Sequence, residues 1–380
     1  MKALILNSGL GHRMGVLTSE HPKCMTEISS NETILSRQLN LLCEAGVTEV
    51  VMTTGYFDAV LVNYCRSLEL PLHFTFVNNP LYKETNYIYS IYCARDHLDD
   101  DVILMHGDIV FEYSVLEDLI ACPESCMKVS RSLPLPEKDF KAVIKDGYVK
   151  KVGVEFFDSA AEAQALYKLN KKDWRLWLDR ICEFCETDKR KCYAEVALNE
   201  ITDECIIKAF DVGERLCTEI DTPEDLAVVS AALHEIENRT VYMCFSTDLV
   251  HAGHIAIIKK ARRLGKLIVG VLSDDATASF KRYPLLPASD RMELFRNVKG
   301  VHKVIEQKTL SYADVLKELK PTYVVHGDDW REGTQKHIRE EVLEVLSTYG
   351  GILKEYPYTS EERYVNLERS IRKLEELRVI

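Results

Sequence analysis

The sequence has 380 residues, of which 46% are hydrophobic and 28% charged, and its formal net charge is −12. These values are typical of a globular protein with two or three domains, and the acidic balance excludes an extended nucleic-acid footprint, which needs a basic face. No apolar run reaches the roughly 18 residues that cross a membrane, so no membrane partner is expected. Twelve scattered cysteines without a signal peptide predict a reducing, cytoplasmic location.

Short apolar strands alternate with helical stretches from Lys2 to about Glu237, which predicts βαβ units and a mainly parallel sheet. We expect strands at residues 3–6, 49–53, 73–77 and 102–105. The charged segment 160–191, which contains Trp174 and Trp177, is predicted to be helical, with both rings on one packed face.

A second α/β pattern begins at Thr240, directly after a predicted helix. We expect strands at residues 241–245, 267–272 and 323–326, and a helix at 254–264. The predicted fold class is therefore α/β, with two doubly wound Rossmann-like domains at residues 1–237 and 240–358. We expect residues 359–380 to form an amphipathic C-terminal helix. Its apolar stripe must pack against another surface, either on its own domain or on the second subunit of a homodimer.

The stretch "LNSGLGHRMGVLTSEHPK", residues 6–23, follows the first predicted strand. Closely spaced glycines expose backbone N–H groups to a phosphate, and Arg13 and Lys23 can balance the charge of a triphosphate. A Walker loop is excluded because it ends in Gly-Lys-Ser/Thr, and the glycine spacing differs from the dinucleotide fingerprint. The glycines alone would fit a tight structural turn equally well, but the arginine and Pro-Lys favour phosphate binding.

This stretch resembles the signature of nucleotidyltransferases that activate sugar phosphates and phosphocholine, in which a glycine-rich loop and an arginine precede Pro-Lys. The resemblance implies a GT-A-like domain in which Arg13 and Lys23 hold the phosphates. The residues that would line the nucleotide are Asn7, Gly9, Leu10 and Gly11. Asn7 and Ser8 replace the usual Ala-Ala, a departure that bears on the choice of base or acceptor.

Two downstream acidic motifs match the same signature. "ILMHGDIVF" supplies Asp108, and "CTEIDTPEDL" supplies Glu219 and Asp221. The resemblance implies that Asp108 and Asp221 bind Mg²⁺, while an anionic acceptor oxygen attacks the α-phosphorus of CTP. The alternative for Asp108 is a solvated strand end.

The stretch "NNPLYKETNYIYSIYCARD" resembles that of bacterial choline-phosphate cytidylyltransferases, where Thr85 and Asn86 face nucleotide and acceptor. Its tyrosines could form a cage for a quaternary amine, although ordinary packing explains them equally well. The opening loop is more similar to relatives that act on phosphoglutamine or phosphonates. Glu195 and Asn199, in "YAEVALNEI", and Glu219 are then candidate acceptor contacts.

The motif "FSTDLVHAGH", residues 245–254, places two imidazoles between a strand and a helix N-terminus, where they can bind a triphosphate. It resembles the HxGH cytidylyltransferases that act on glycerol phosphate, choline phosphate and phosphonates. This implies catalytic roles for His251, His254 and Lys281. The implied nucleotide contacts are Ser246, Asp248, Gly253 and Asp328, the last from "VVHGDDW".

One departure concerns the end of this second domain, where the family has a Gly-Ile-Ser-Thr-Thr-like phosphate loop. Here "YPYTSEERYVNLERS" keeps Thr359 and Ser360, but two glutamates follow where a phosphate would lie. The negative charge should weaken triphosphate binding, so an active and an inactive second site both stay open.

Together these patterns predict a Mg²⁺-dependent cytidylyltransferase that moves CMP from CTP to a small phosphate or phosphonate acceptor. Candidate acceptors are hydroxyethyl- or aminoethylphosphonate, phosphocholine and phosphoglutamine, for decoration of a surface glycan. The alternative is one active N-terminal nucleotidyltransferase of the sugar-1-phosphate type, using another NTP. In that case the C-terminal domain is a non-catalytic nucleotide-binding or dimerisation module.

Overall fold

The computed structural model describes residues 1–9 and 11–357, and the chain divides into two compact units at Ala232/Leu233. Leu10 and the predicted C-terminal helix at 359–380, with its proposed dimer stripe, lie outside the described residues. Among the described residues, no helix is both long and apolar enough to cross a membrane.

The first unit contains most of the strands. They are β1 (Lys2–Leu6), β2 (Glu27–Ser29), β3 (Glu32–Thr33), β4 (Glu49–Thr54), β5 (His73–Asn78), β6 (Val102–His106), β7 (Ile109–Phe111), β8 (Cys126–Ser130), β9 (Lys141–Lys145), β10 (Tyr148–Gly153), β11 (Ala160–Leu169), β12 (Lys208–Asp211) and β13 (Cys217–Glu219). The helices are α1 (Ile34–Glu44), α2 (Asp58–Ser67), α3 (Tyr87–Ala94), α4 (Tyr113–Ala121), α5 (Lys171–Glu186), α6 (Ala194–Leu198) and α7 (Pro223–Asn238), the last of which contains the division.

Nine of these strands form one sheet in the order β5-β4-β1-β6-β11-β8-β12-β10-β9. The strands β5, β4, β1 and β6 are parallel, as the βαβ pattern predicts, whereas β11 runs antiparallel to both β6 and β8. The sheet is therefore mixed. Leu4 and Leu6 face one core and Ala3 and Ile5 the other, because successive strand residues point to opposite faces.

The helical prediction for residues 160–191 is wrong in its first part. Residues 160–169 form β11, a central strand that is buried along almost its whole length, and the helix α5 begins only at Lys171. The sequence of β11 is rich in alanine, which favours a helix, but Ala163, Ala165, Tyr167 and Leu169 point to one core while the opposite face carries buried polar residues, so tertiary packing overrides the helical propensity. Trp174 and Trp177 do pack together in the core.

The register of the parallel strands brings two loops to one edge of the sheet. Leu6 at the end of β1 lies opposite Thr53 of β4 and His106 of β6. The segments that follow β1 and β6 therefore leave the sheet side by side. Carboxyl ends of parallel strands are where open α/β sheets bind ligands.

The second unit is an α/β domain with a wholly parallel sheet. Its strands are β14 (Thr240–Phe245), β15 (Lys266–Leu272), β16 (Val301–Gln307), β17 (Tyr323–Gly327) and β18 (Ile352–Tyr356). Its helices are α8 (Ala252–Ala261), α9 (Asp274–Ala278), α10 (Ala288–Arg296), α11 (Ala313–Leu319) and α12 (Lys336–Ser347). The strand order β16-β15-β14-β17-β18 reverses direction at β14, which creates a crevice between β14 and β17.

Candidate functional site

A cavity of about 350 Å³ lies at the ends of β1 and β6 in the first unit. The sequence-predicted residues that line it are Asn7, Gly9, Gly11, Arg13, Lys23, Asp108 and Asp221. The structure thus brings together the opening loop and two carboxylates that are 85 and 198 positions from Lys23 in the chain.

The loop wraps closely around Lys23. Gly11 has a φ of 64°, in the left-handed region that favours glycine, and it begins a 3₁₀ helix at His12–Thr18. A Cβ atom at Gly11 would also lie 3.0 Å from Cβ of Lys23. A second short 3₁₀ helix, Lys23–Met25, then directs the lysine toward the cavity.

Lys23 lies between two carboxylates. Its Nζ atom is 2.6 Å from Oδ2 of Asp108 and 2.5 Å from Oδ1 of Asp221, and Nη2 of Arg13 is 2.8 Å from the same Asp221 oxygen. Burial lowers the pKa of Lys23, but the two carboxylates outweigh it and the net shift is upward. Lys23 is therefore charged near neutral pH.

Oδ1 of Asp108 is buried and has no hydrogen-bond partner within the described part of the chain. An unpaired buried carboxylate oxygen is costly, which makes it a natural ligand for a cation. Donor atoms of His106, Asp108 and Glu219 lie within 4.8 Å of one another, as do those of Asp139, Glu219 and Asp221. These mostly carboxylate sets fit a hard divalent cation.

His106 and Asp139 were not predicted from the sequence to belong to the site. His106 lies two residues before Asp108, and its Nδ1 is 2.8 Å from Oε1 of Glu219. Burial lowers the pKa of His106, but the hydrogen bond and charge of Glu219 raise it to about 9 overall. The "MHGD" pattern could have indicated His106, whereas nothing near Asp139 in the sequence connects it to the site.

Glu195 is 1% exposed and anchors two tyrosines rather than facing open space. Tyr167 donates to its Oε1 atom at 2.9 Å, Tyr87 donates to its Oε2 atom, and the ring of Tyr87 packs edge-on against His106. Glu195 is thus connected through Tyr87 to the carboxylate site, although it does not line the cavity.

Asn199 has a structural role that the sequence analysis did not foresee. Its Oδ1 accepts from the backbone N–H of Val152 at 2.7 Å, and its Nδ2 donates to the Val152 carbonyl at 2.8 Å. The amide therefore holds β10, and Asn199 is not among the residues that line the cavity.

Thr85 and Asn86 are also occupied locally and are not among the residues that line the cavity. The Thr85 hydroxyl donates to the Leu81 carbonyl at 2.8 Å, and the Asn86 side chain caps α3 by accepting from the Tyr87 N–H. These contacts fix the start of α3.

A buried polar network connects this region to the opening loop. Ser8 Oγ is 2.6 Å from Ser90 Oγ on α3, and Asn79 Nδ2 donates to Ser90 at 2.9 Å and to Thr85 at 3.2 Å. The hydroxyl of Ser8, which an alanine would lack, thus holds the loop against α3.

The second unit has a cavity of about 170 Å³ at the crevice beside β14. The predicted residues that line it are Ser246, His251, Gly253, His254 and Lys281. His251 caps α8 by accepting from the Gly253 N–H at 3.1 Å, and its ring lies 3.9 Å from that of His254. Lys281 donates to the Ser246 hydroxyl at 3.1 Å.

His254 lies in a cationic environment. Burial, together with His251 and Lys281, lowers its pKa to about 4. It is therefore neutral near pH 7, so one ring nitrogen donates and the other accepts.

Two predicted nucleotide contacts of this unit do not line its cavity. Asp248, whose side chain is 5% exposed, pairs with Arg282 at 2.8 Å and accepts from the Leu286 N–H. It thereby anchors the segment next to Lys281. At the end of β17, Asp329 lines the cavity rather than Asp328.

His326 also lines this cavity, and its ring stacks on Trp330 at 3.7 Å. His326 lies within the motif "VVHGDDW", but its role was not predicted from the sequence. Histidine at the end of a strand beside the predicted crevice was the signal that could have identified it.

Comparisons with known proteins match a different family model to each of the two units. Residues 3–130 match the family model of the MobA-like NTP transferase domain, and residues 244–349 match that of cytidylyltransferase-like proteins. Proteins of the former kind generally use a divalent metal.

Two curated relatives each match part of the chain. CMP-5'-(3-aminopropyl)phosphonate synthase of Streptomyces rubellomurinus is 37% identical over 135 residues, which is 36% of this chain and 21% of the relative. CTP:phosphoglutamine cytidylyltransferase of Campylobacter jejuni is 30% identical over 169 residues, covering 40% of this chain and 65% of the relative. The chain thus spans less than two thirds of either relative.

A solved structure supports the fold alone. The inositol-1-phosphate CTP transferase of T. maritima superposes with a TM-score of 0.52 at 22% identity, covering 62% of this chain and 96% of that one. Both resemblances predicted from the motifs are confirmed. The chain is therefore similar to nucleotidyltransferases in two places, to MobA-like NTP transferase domains over residues 3–130 and to cytidylyltransferase-like proteins over residues 244–349.

Proposed function

We propose that the first unit transfers CMP from CTP to a small phosphate or phosphonate acceptor and releases pyrophosphate. The observation that carries this proposal is the position of Lys23 between Asp108 and Asp221, in a cavity lined by the glycine loop. The two curated relatives support CTP as donor, since their names describe a CMP-phosphonate product and a phosphoglutamine acceptor.

The reaction exchanges one P–O bond for another. An acceptor oxygen forms a bond to the α-phosphorus, the bond to the β-phosphate breaks, and pyrophosphate leaves with the electron pair. The attacking oxygen is already anionic, so no general base is required. Lys23 and Arg13 bind the phosphate oxygens and offset the charge that accumulates when donor and acceptor meet.

Asp108 and Asp221 are the proposed metal ligands, with Glu219 near both of them, and we propose Mg²⁺ as the ion. The unpaired Oδ1 atom of Asp108 and the carboxylate-rich donor sets support this choice. When bound, Mg²⁺ supplies Lewis-acid polarisation of the phosphate. Lys23 pairs with the same two carboxylates. When Lys23 turns to bind a phosphate of the nucleotide, Asp108 and Asp221 become free to bind the cation.

On the acceptor side we propose Glu219, with Glu195 positioning Tyr87. Both are supported by their connection to His106, whose ring nitrogen lies within 4.8 Å of donor atoms of Asp108 and Glu219. The boundaries 1–237, 240–358 and 359–380, the homodimer and the role in glycan decoration stay predictions.

For the second unit we propose a second nucleotide site, in which His251, His254 and Lys281 contact phosphates. Their convergence on one cavity at the crevice beside β14 supports this proposal. The alternative is a non-catalytic module, favoured by the two glutamates that follow Thr359 and Ser360 in the sequence.

The two proposals are separated by pyrophosphate release from the full chain, assayed with four NTPs and the four acceptors named above. Asp108→Asn should abolish the activity of the first unit, at least 100-fold below wild type, because it removes a metal-binding charge. Activity that survives Asp108→Asn and disappears with His251→Ala belongs to the second unit.

The matched controls replace exposed residues of the same types. Asp203→Asn, at a side chain that is 95% exposed, and His302→Ala, on the exposed side of β16, should retain wild-type rates. Full activity in both Asp108→Asn and His251→Ala would refute the site assignment. No CTP-dependent release with any acceptor would refute the cytidylyltransferase itself.

A further inference from the structure

The side chain of Asn7 offers a hydrogen-bond donor that the protein itself does not use. Asn7 is 8% exposed, and its Nδ2 atom is buried with no partner among residues 1–9 and 11–357. Its backbone N–H, in contrast, is paired with Thr53 on β4. A buried amide nitrogen without a partner is rare and costly, so an acceptor from outside the chain is the natural explanation.

The amide is held in place from two sides. A Cβ atom on Gly107 would lie 1.6 Å from Oδ1 of Asn7, so the amide occupies the space that a side chain there would need. The next residue, Ser8, is tied to Ser90 by a 2.6 Å hydrogen bond. The side chain of Asn7 therefore has a fixed position in the wall of the cavity.

The surroundings indicate which part of a nucleotide Asn7 meets. The cavity is lined by Arg13, Lys23, Asp108 and Asp221, and no aromatic ring that could stack on a base is found among its described lining residues. Asn7 also borders Gly107, the residue before Asp108. This is the phosphate end of the site.

We propose that Asn7 Nδ2 donates to a non-bridging oxygen of the α-phosphate, the group transferred in the proposed function, on which this inference rests. An amide donor fixed beside Asp108 stabilises the negative charge on these oxygens without adding a charge of its own. Asn7 is thus a further catalytic residue. The nucleotidyltransferase signature that residues 6–23 resemble has alanine at this position.

The test uses the full chain carrying His251→Ala, so that turnover at the second cavity does not mask the effect. In this background Asn7→Ala should lower kcat with CTP about 10- to 100-fold, the range for losing a hydrogen bond to a charged group. The ratio of CTP to UTP turnover should not change, because the contact is to phosphate. Asn7→Asp, which keeps the shape and removes the donor, should lose at least as much.

Thermal unfolding without ligand distinguishes this role from a structural one. Asn7→Ala should not lower the Tm, because the removed nitrogen has no partner and its burial costs free energy. The control Asn79→Ala should lower it, because that buried amide bonds to Ser90 and Thr85. The rise in Tm caused by Mg²⁺ and CTP should be smaller in Asn7→Ala than in the parent.

Three results would overturn the inference. These are an unchanged kcat, a changed ratio of CTP to UTP turnover, which would move the contact to the base, or a lowered Tm without ligand. If the chain with native Asn7 shows neither pyrophosphate release nor stabilisation by any NTP, the proposed function has failed and the inference falls with it.

Discussion

At the scale of single residues, the first site is organised by ion pairs between two cationic side chains and two carboxylates. Lys23 contacts two carboxylates from distant parts of the chain, and Arg13 contacts one of them. The same carboxylates are the proposed metal ligands. Lysine and cation therefore compete for Asp108 and Asp221, and the competition can be measured.

We expect Lys23→Met to leave Asp108 without its lysine partner and Asp221 with Arg13 alone. The Tm should fall in the absence of metal, because an unpaired buried charge is destabilising, and millimolar Mg²⁺ should restore it. Thermal unfolding with and without Mg²⁺ checks this. The control Lys150→Met removes a partly exposed lysine that pairs with Asp203 and should show no Mg²⁺-dependent recovery. Equal Mg²⁺ responses in both variants would contradict the competition.

The low pKa of His254 predicts a pH-dependent loss of stability. The folded-state value of about 4 lies below the ordinary value of 6.5, so protonation favours the unfolded chain. The wild type should lose stability relative to His254→Gln as the pH falls from 6.5 toward 4, by roughly 2 kcal/mol. Above pH 6.5 the difference in unfolding free energy between the wild type and His254→Gln should not change with pH.

Denaturant unfolding of both proteins at pH 7.5 and pH 4.5 measures this difference. His302→Gln, at an exposed histidine of the same unit, is the control and should follow the wild type at both pH values. A constant offset between wild type and His254→Gln at the two pH values would show that His254 is not buried among cations.

At the scale of elements, the antiparallel half of the first sheet contains a buried ion pair. Lys128 on β8 is fully buried, and its Nζ is 2.5 Å from Oε2 of Glu162 on β11, which also accepts from Gln164. These residues join the two strands next to the site-bearing parallel half. The sequence did not indicate the pair, because β11 was expected to be part of a helix.

Lys128→Met should destabilise the protein by about 3–5 kcal/mol, because it leaves Glu162 charged and without its cation in the core. The double variant Lys128→Met with Glu162→Leu should recover most of this loss. Lys150→Met, which breaks an exposed pair with Asp203, should cost less than about 1 kcal/mol. Denaturant unfolding checks all three, and equal losses from Lys128→Met and Lys150→Met would contradict the effect of burial.

At the scale of the whole molecule, the sequence predicted β1, β4, β5 and β6 of the first unit and β14, β15 and β17 of the second within one or two residues, but it did not predict the parallel strands β16 and β18. The prediction succeeded where it did because β1, β4, β6 and β15 are short apolar runs that pack on both faces. The strand β11 was missed because an alanine-rich segment does not reveal burial on both faces. The α/β class and both nucleotidyltransferase resemblances are confirmed.

The candidate sites were predicted where a motif is contiguous and missed where folding assembles them. The glycine loop with Lys23 and the histidine pair of α8 could be found by spacing alone. Asp139 could not, because only the three-dimensional fold brings it to Glu219 and Asp221. Asn199 and Asp248 were assigned to ligands, but both hold the backbone of a neighbouring segment.

The missing side chain at Gly107 also limits which substitutions this part of the site tolerates. An asparagine at position 7 with its amide in the observed place cannot coexist with any Cβ at position 107, since that Cβ and Oδ1 of Asn7 would be 1.6 Å apart. A Cβ at position 107 would also lie 2.9 Å from the backbone carbonyl oxygen of Leu6, so a smaller residue at position 7 would remove only part of the conflict. Glycine at position 107 is therefore required by the backbone of β1 as well as by the side chain of Asn7.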